Sequence, residues 1–385
     1  MQNLFALAPA RQACLITLLA ACGVPSLAQT SSVSGHIFCA DTDQPCRFAR
    51  VSLGPDAGTR TKTQSAGYSA SSGLDGSFTI PNVAPGRYYV IGYAPGYPSP
   101  LAAIPVRVAN EMLKNPSPEV VKQLDALMPA VIVGANQPAS IDIRLERGAA
   151  ISGNVTYDDG SPASALDVDL LRKQPDGSWK SFHPDSGPRS GLNVDEITDD
   201  RGGFRESTLP AGEYILEASL PIGTKSAPGQ LEISKLRFYT NPQGAVRIFS
   251  GNVTRLKLAT PITVTAGEEH NGADITIPLS GLHQIHGSVA AIGDHHAIPH
   301  GTVELIDPDD STAVLTEPLD QDGTFDFDAV PEGDYIVRVS GASDGEEGQP
   351  TRQYKSAQQP LSVHSDVNDV SLTVSSLKAS SPAAQ

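Results

Sequence analysis

Three sequence anchors recur in the same order along this 385-residue chain, and their spacing constrains the fold more than any other feature. The first is a segment of the form apolar-x-Gly-x-apolar, at Val33 to Ile37, Ile151 to Val155 and Ile285 to Val289. The second is a Gly-x-Phe followed ten residues later by a Gly-x-Tyr. It pairs Gly76 and Phe78 with Gly86 and Tyr88, Gly202 and Phe204 with Gly212 and Tyr214, and Gly323 and Phe325 with Gly333 and Tyr335. The third is an alternating closing segment, at Ile141 to Leu145, Ile275 to Leu279 and Val370 to Val374. The tyrosines lie 126 and 121 residues apart, a period of domain size that excludes a solenoid of small units. Each unit therefore has to bury a core of its own.

The middle anchor reads as turn, strand, turn, strand. Asp75-Gly76, Asp199 to Gly203 and Asp320 to Gly323 are turn signals, because Asp satisfies local backbone donors and Gly accepts positive φ. A strand begins at each Phe and ends at a Pro-containing reversal such as Leu209-Pro210-Ala211-Gly212. The next strand begins at the Tyr and alternates, as in Tyr214, Leu216 and Ala218, the period of a half-buried strand. Phe and Tyr are expected in the core, and the Tyr hydroxyl is expected to bond back to upstream backbone as in a tyrosine corner. Short strands with turns about every ten residues predict an all-β chain of three tandem antiparallel Greek-key β-sandwich domains. The expected bounds are 33–146, 149–280 and 283–375, with a disordered tail at 376–385. Joints of about five residues predict a semi-rigid array.

The run from Thr198-Asp199 through Gly202-Gly203-Phe204 to Leu209-Pro210-Ala211-Gly212-Glu213-Tyr214 resembles the carboxypeptidase regulatory-like domain. The resemblance covers nearly all of the chain after residue 32. It implies a prealbumin-like or starch-binding-like sandwich. It says little about function, since such modules accompany peptidases, transporters, adhesins and polysaccharide-active proteins.

Charge and export signals narrow the setting. Forty-three acidic against 27 basic residues leave a net charge of −16, which repels nucleic-acid phosphates, so no nucleic-acid partner is expected. The acidic runs Asp307 to Asp310 and Asp344 to Glu347 read as solvated surface. Residues 1–28 read as a secretory signal, with Arg11 before the apolar Ala13 to Ala21 and a small-residue cleavage site at Ser26 to Ala28. Leu19 to Cys22 also resembles a bacterial lipobox, so ordinary cleavage before Gln29 and a lipid anchor on Cys22 both stand. That anchor is the one membrane contact expected. The predicted location is the periplasm, cell envelope or exterior. In that oxidising setting Cys39 and Cys46 are expected to pair across a hairpin tip.

The chain carries no His-x-x-Glu zinc motif, no Gly-x-Ser-x-Gly elbow and no phosphate-cradling loop. It reads as non-catalytic and without a cofactor. His283, His286, His295, His296 and His300 are taken as solvated or edge histidines, and Asp320 to Gly323 as turn chemistry without a metal. Trp179, the one tryptophan, follows the Pro175-Asp176-Gly177 turn and is a candidate ligand contact. So are Tyr89, Tyr93 and Tyr97 of domain one, where Tyr89, Ile91 and Tyr93 form an outward apolar stripe. The segment 117–128, with a Ser cap, Pro118 and one apolar face, predicts a helix that covers this stripe; if it does not, the stripe is a binding site. A binding or structural array with a protein or cell-surface polysaccharide partner is the leading reading. A carbohydrate-binding protein and an accessory of a separate enzyme or transporter are the alternatives.

Overall fold

The computed structural model describes residues 30–56, 67–104, 108, 111, 116–183, 197–221, 245–345 and 352–377. Residues 1–28, where a secretory signal is expected, with Arg11 and Cys22, lie outside the described residues, as do 378–385. In the first unit the strands are β1 (Ser31–Cys39), β2 (Gln44–Pro45), β3 (Arg50–Pro55), β4 (Tyr68–Ser71), β5 (Ser77–Val83) and β6 (Gly86–Tyr93), followed by helix α1 (Pro118–Leu127), β7 (Ala130–Val133), β8 (Ala139–Ser140) and β9 (Ile143–Leu145). The second unit holds β10 (Ala149–Tyr157), β11 (Asp167–Lys173), β12 (Trp179–Ser181), β13 (Gly203–Leu209), β14 (Gly212–Pro221), β15 (Ala245–Phe249), β16 (Ile262–Val264), β17 (Glu269–Asn271) and β18 (Ile275–Ile277). The third holds β19 (Leu282–Ala291), β20 (His300–Asp307), β21 (Asp310–Pro318), β22 (Thr324–Pro331), β23 (Gly333–Asp344), β24 (Arg352–Gln353), β25 (Ala357–Val363) and β26 (Val367–Val374). The fold is all-β, and each unit pairs two sheets over its own core.

In domain two one sheet is built on β13-β10-β17 with β18, and the other runs β12-β11-β14-β15 with β16. The strands that begin at Phe and Tyr thus lie in opposite sheets. The turn between them is a crossover from one layer to the other and not a hairpin. Phe78, Phe204 and Phe325 are buried at the start of one layer, and Tyr88, Tyr214 and Tyr335 at the start of the other. Each Tyr hydroxyl donates to the carbonyl four residues upstream: Tyr88 to Ala84 (3.0 Å), Tyr214 to Pro210 (2.7 Å) and Tyr335 to Pro331 (2.8 Å). This is the hydrogen bond expected of the repeated Gly-x-Tyr. Burial pushes the Tyr214 and Tyr335 phenols up to about 12, which keeps both hydroxyls protonated as donors.

The purely antiparallel expectation needs one correction, repeated in each domain. The opening strand pairs parallel with the closing segment: β1 with β8 and β9, β10 with β17 and β18, and β19 with β26. These partners are more than a hundred residues apart in domains one and two, and an alternating pattern carries no direction, so the sequence left their sense open. The parallel neighbour also explains the opening-strand glycine. A Cβ at Gly35 would sit 1.8 Å from the Ile141 carbonyl oxygen, and one at Gly153 would sit 2.5 Å from that of Ala273. No other residue permits that approach.

The Cys39–Cys46 disulfide closes the β1–β2 hairpin. The expected helix is present as α1, capped by the Ser117 hydroxyl, which accepts from the Val120 amide. The tail also differs from expectation at its start: Ser376 bridges Tyr354 and the Leu377 amide donates to Gln353. Those backbone pairings order two residues that composition alone assigns to the tail.

Opposite the opening strand the chain bulges, with Asn82, Thr208 and Ala329 at equivalent places and φ of 59°, 64° and 59°. Asn tolerates this left-handed conformation, whereas a β-branched Thr is strained in it. Two substitutions in β13 should therefore move domain two in opposite directions. Thr208→Asn should stabilise it by about 1 kcal/mol, and Phe204→Ala should destabilise it by roughly 3–5 kcal/mol through loss of a core aromatic. Chemical denaturation of both variants checks this, and a neutral Phe204→Ala would remove Phe204 from the core.

Candidate functional site

The outer face of the β12-β11-β14-β15 sheet is not the solvated surface that its polar residues imply. Register sets Trp179 opposite Lys173, Ile215 opposite Leu171, Glu217 opposite Asp169, and Arg247 opposite Ser219, so all of these share that face. Yet Ile215, Glu217, Ser219 and Phe249 are buried. Domain three contributes to the cover through the tight turn between β20 and β21. This is the acidic run Asp307 to Asp310, expected at the solvated surface, and it is instead a docking turn. The Asp309 amide donates to the Asp307 carboxylate at 2.8 Å, which shapes the turn.

Among the described residues three ion pairs cross the joint. Arg247 Nη2 reaches Asp310 Oδ2 at 2.8 Å, Arg255 pairs with Asp307, and Lys257 pairs with Asp309. Arg255 also lies 4.7 Å from the ring centre of Tyr335 and donates to the Asp334 carbonyl at 3.2 Å. Its side chain is 13% exposed and that of Asp307 5%, so this pair is held away from water, whereas Lys257 and Asp309 are about half exposed. The linker is tied as well, since Asp158 accepts from both the amide and hydroxyl of Ser280. Between the two domains these groups leave an open cleft of about 430 Å³. Trp179 and Ile215 line it from the sheet, Arg255, Leu256, Lys257, Ala259 and Pro261 from one side, and Asp307, Asp309 and Asp310 from domain three. Lys173 Nζ lies 5.8 Å from the Trp179 ring centre.

The candidate residues of domain one lie elsewhere. Tyr89 is buried beneath α1 with Val120, Leu124 and Met128, and its hydroxyl donates to Asp125 at 2.8 Å. Ile91 packs against the same cluster and Tyr93 is half-buried. Tyr97, in the turn after β6, is buried next to the linker that leaves domain one. Its hydroxyl donates to Asp41 at 2.8 Å, and the linker residue Arg147 stacks 5.5 Å from its ring. With the Gly148 amide donating to Gly96, Tyr97 holds the joint between domains one and two. Neither Tyr89 nor Tyr97 offers a ring face to solvent. Trp179 is the candidate that stands in a cleft. Its companions Arg247, Arg255, Lys257 and Asp307 to Asp310 were missed. Their signal was three cations within eleven residues of a cation-poor chain.

The histidines of domain three are dispersed. His286 meets Asp326 at 2.5 Å, while His296 lies between Asp294 (2.6 Å), Asp344 (2.9 Å) and the Tyr354 hydroxyl (3.0 Å). Among the described residues no three His, Cys, Asp or Glu side chains are grouped to hold a metal ion. Asp322 accepts from the Thr324 amide and hydroxyl, as Asp75 does from Ser77, which is turn chemistry. No described helix is long and apolar enough to cross a membrane.

No family model matches the chain, and no curated protein sequence matches it. Solved structures that resemble it include the streptococcal ancillary pilin, with 10% identity, 91% of this chain and 100% of that one covered, and a TM-score of 0.30. The Bacillus anthracis TIE protein gives 11% identity, a TM-score of 0.21 and 91% coverage of this chain, which spans about half (51%) of that protein. A Pseudomonas aeruginosa protein described as a candidate carbohydrate binder matches 24% of this chain over 88% of its own, at 22% identity and a TM-score of 0.20.

The two kinds of pair across the joint should respond differently to truncation. Arg255→Ala leaves the buried Asp307 carboxylate without its partner and should cost about 3–5 kcal/mol. Lys257→Ala removes an exposed pair and should cost under about 1 kcal/mol. Thermal denaturation of both variants measures the contrast, and equal effects would mean that burial does not set the strength of the joint.

A second expectation concerns pH. Burial pushes the Glu217 carboxyl up to about 7, with the Arg247 guanidinium opposing and Asp169 and Asp310 adding to the rise. Between about 7 and the unfolded value near 4.3, the folded chain holds a proton that the unfolded chain releases. This group therefore adds stability as pH falls through that window. Glu217→Gln should flatten the slope, and a variant with the parent's pH profile would show that Glu217 does not titrate there.

Proposed function

We propose that the chain is a non-catalytic, extracytoplasmic binding or structural array of carboxypeptidase regulatory-like β-sandwiches, which works by holding its domains at fixed relative positions. The observation that carries this reading is the braced joint between domains two and three. A buried Arg255–Asp307 pair, a stacked Tyr335 and two further ion pairs cross it. A flexible string of modules has no use for a buried inter-domain ion pair, because desolvating both charges is costly unless the geometry is kept. Domain one is tied in the same manner, with Arg172 donating to the Ala102 carbonyl at 2.8 Å and Arg147 on Tyr97. The exported location is supported by the Cys39–Cys46 bridge, since such bonds persist in oxidising compartments, and by the signal read in residues 1–28. The partner is a protein or a cell-surface polysaccharide. Carbohydrate binding is favoured as the finer reading by Trp179 in the joint cleft.

Small-angle scattering of the chain tests the array. The maximum dimension should stay constant as salt is raised, because the buried pair is poorly screened, and should change in Arg255→Ala. A distribution of dimensions already broad in the parent would overturn the fixed-position reading. Retention on cell-envelope fractions without release of reducing ends or new peptide termini tests the binding, non-catalytic part.

A further inference from the structure

We propose that the cleft between domains two and three binds one ring of a neutral glycan, stacked on Trp179 and hydrogen-bonded by the ion-paired side chains of the joint. The inference deepens the binding reading given above and rests on it. Three features of the lining select the ligand class. Trp179 is the sole tryptophan of the chain and stands on an outer sheet face, where no core position requires it. The axial C–H groups of a pyranose present an apolar face that packs on an aromatic ring, and their slight positive charge suits its electron-rich face.

Charge is the second feature. Asp307, Asp309 and Asp310 line the cleft together with Arg255 and Lys257, and Arg247, outside the lining, pairs with Asp310, so each carboxylate of the lining already has a cationic partner. An anion would have to displace an Asp from its partner and a cation would have to displace an Arg or Lys, both at the cost of a separated charge. A hydroxyl donates and accepts at once, so it can join an ion pair without breaking it. Neutral polyols are the ligands such a lining admits.

The third feature is that the site is composite. Trp179 and Ile215 come from β12 and β14 of domain two, and the carboxylates come from the β20–β21 turn of domain three. Among the described residues that line the cleft, the aromatic platform comes from domain two and the carboxylates from domain three. Ligand binding and docking of the joint are therefore coupled, and a bound glycan stabilises the docked pair. The cleft is open at its edge, so it suits a unit within a longer chain as well as a chain end.

Trp179 is its own reporter. Titration of the full chain with neutral oligosaccharides, namely malto-, cello-, xylo- and chito-hexaoses, should give a saturable change in tryptophan emission for at least one. Lys257→Gln and Asp309→Asn alter half-exposed groups and should leave the fold intact. Each should weaken the binding about tenfold, the effect expected from losing one charge-assisted hydrogen bond. Trp179→Ala, followed by retention on the matching polysaccharide, should lose binding with the melting temperature unchanged. The site assignment is overturned if no neutral oligosaccharide alters the emission, if only acidic ones such as oligogalacturonate do so, or if Trp179→Ala is still retained. In that last case the array binds glycan elsewhere and the broader reading survives. Absence of retention of the parent on any polysaccharide or envelope fraction counts against the broader reading itself.

Discussion

In each domain a tyrosine hydroxyl donates to the carbonyl four residues upstream, at the point where the chain leaves one sheet and enters the other. That crossover positions everything else. Upstream it holds Phe78, Phe204 or Phe325 at the start of one layer, and downstream it sets the alternation of the strand that faces it. In domains two and three the turn carbonyl belongs to a buried residue, Pro210 or Pro331, and would otherwise be buried without a partner. A buried hydroxyl adds a second pin in two of the domains. Ser72 donates to Cys46 and accepts from Ala49, and Thr198 donates to Ala163 and accepts from Leu166. Both lie four residues before the turn glycine, so the loop facing the crossover is fixed from its other side.

With the sandwich frame set, the domains differ mainly in what covers the outer face of the sheet that begins at the Tyr. Domain one uses its own insert, α1, over Tyr89 and Ile91. Domain two presents that face to its neighbour, and its buried Glu217 and Ser219 belong to a joint. Domain three leaves Arg338 paired with Glu304 at 2.7 Å, with partial exposure on both. One architecture thus yields a self-capped, a docked and a more open surface through changes at a few outward positions. The joint follows from this difference, because a covered sheet face requires a second body held against it.

The same logic explains why the charge pattern misleads at this joint. Asp307 to Asp310 is a hairpin turn by local rules, and the Asp309 amide bonded to Asp307 satisfies them. Nothing local distinguishes a turn in water from a turn seated on a neighbouring sheet. The distinction lies in Arg247, Arg255 and Lys257, which belong to another domain and reach the turn only after both domains have folded. Trp179 is alike in this respect. Its place after a Pro-Asp-Gly turn identifies a loop-edge aromatic, but the cleft around it is made from segments up to 131 positions away.

The sequence by itself determined the repeat, the all-β class, the core Phe and Tyr, the capped helix and the hairpin that the Cys39–Cys46 bridge closes. Each depends on residues close together in the chain, whose turn preferences and alternation act before any long-range contact forms. Only the tertiary structure decided that the opening and closing strands run parallel, that Tyr97 holds a linker, and that an acidic run docks on a neighbouring domain. Those outcomes depend on direction and on pairing across domains. Hydrophobic pattern and charge count carry neither, because both are properties of single segments, whereas an ion pair or a parallel ladder is a property of two segments meeting in space.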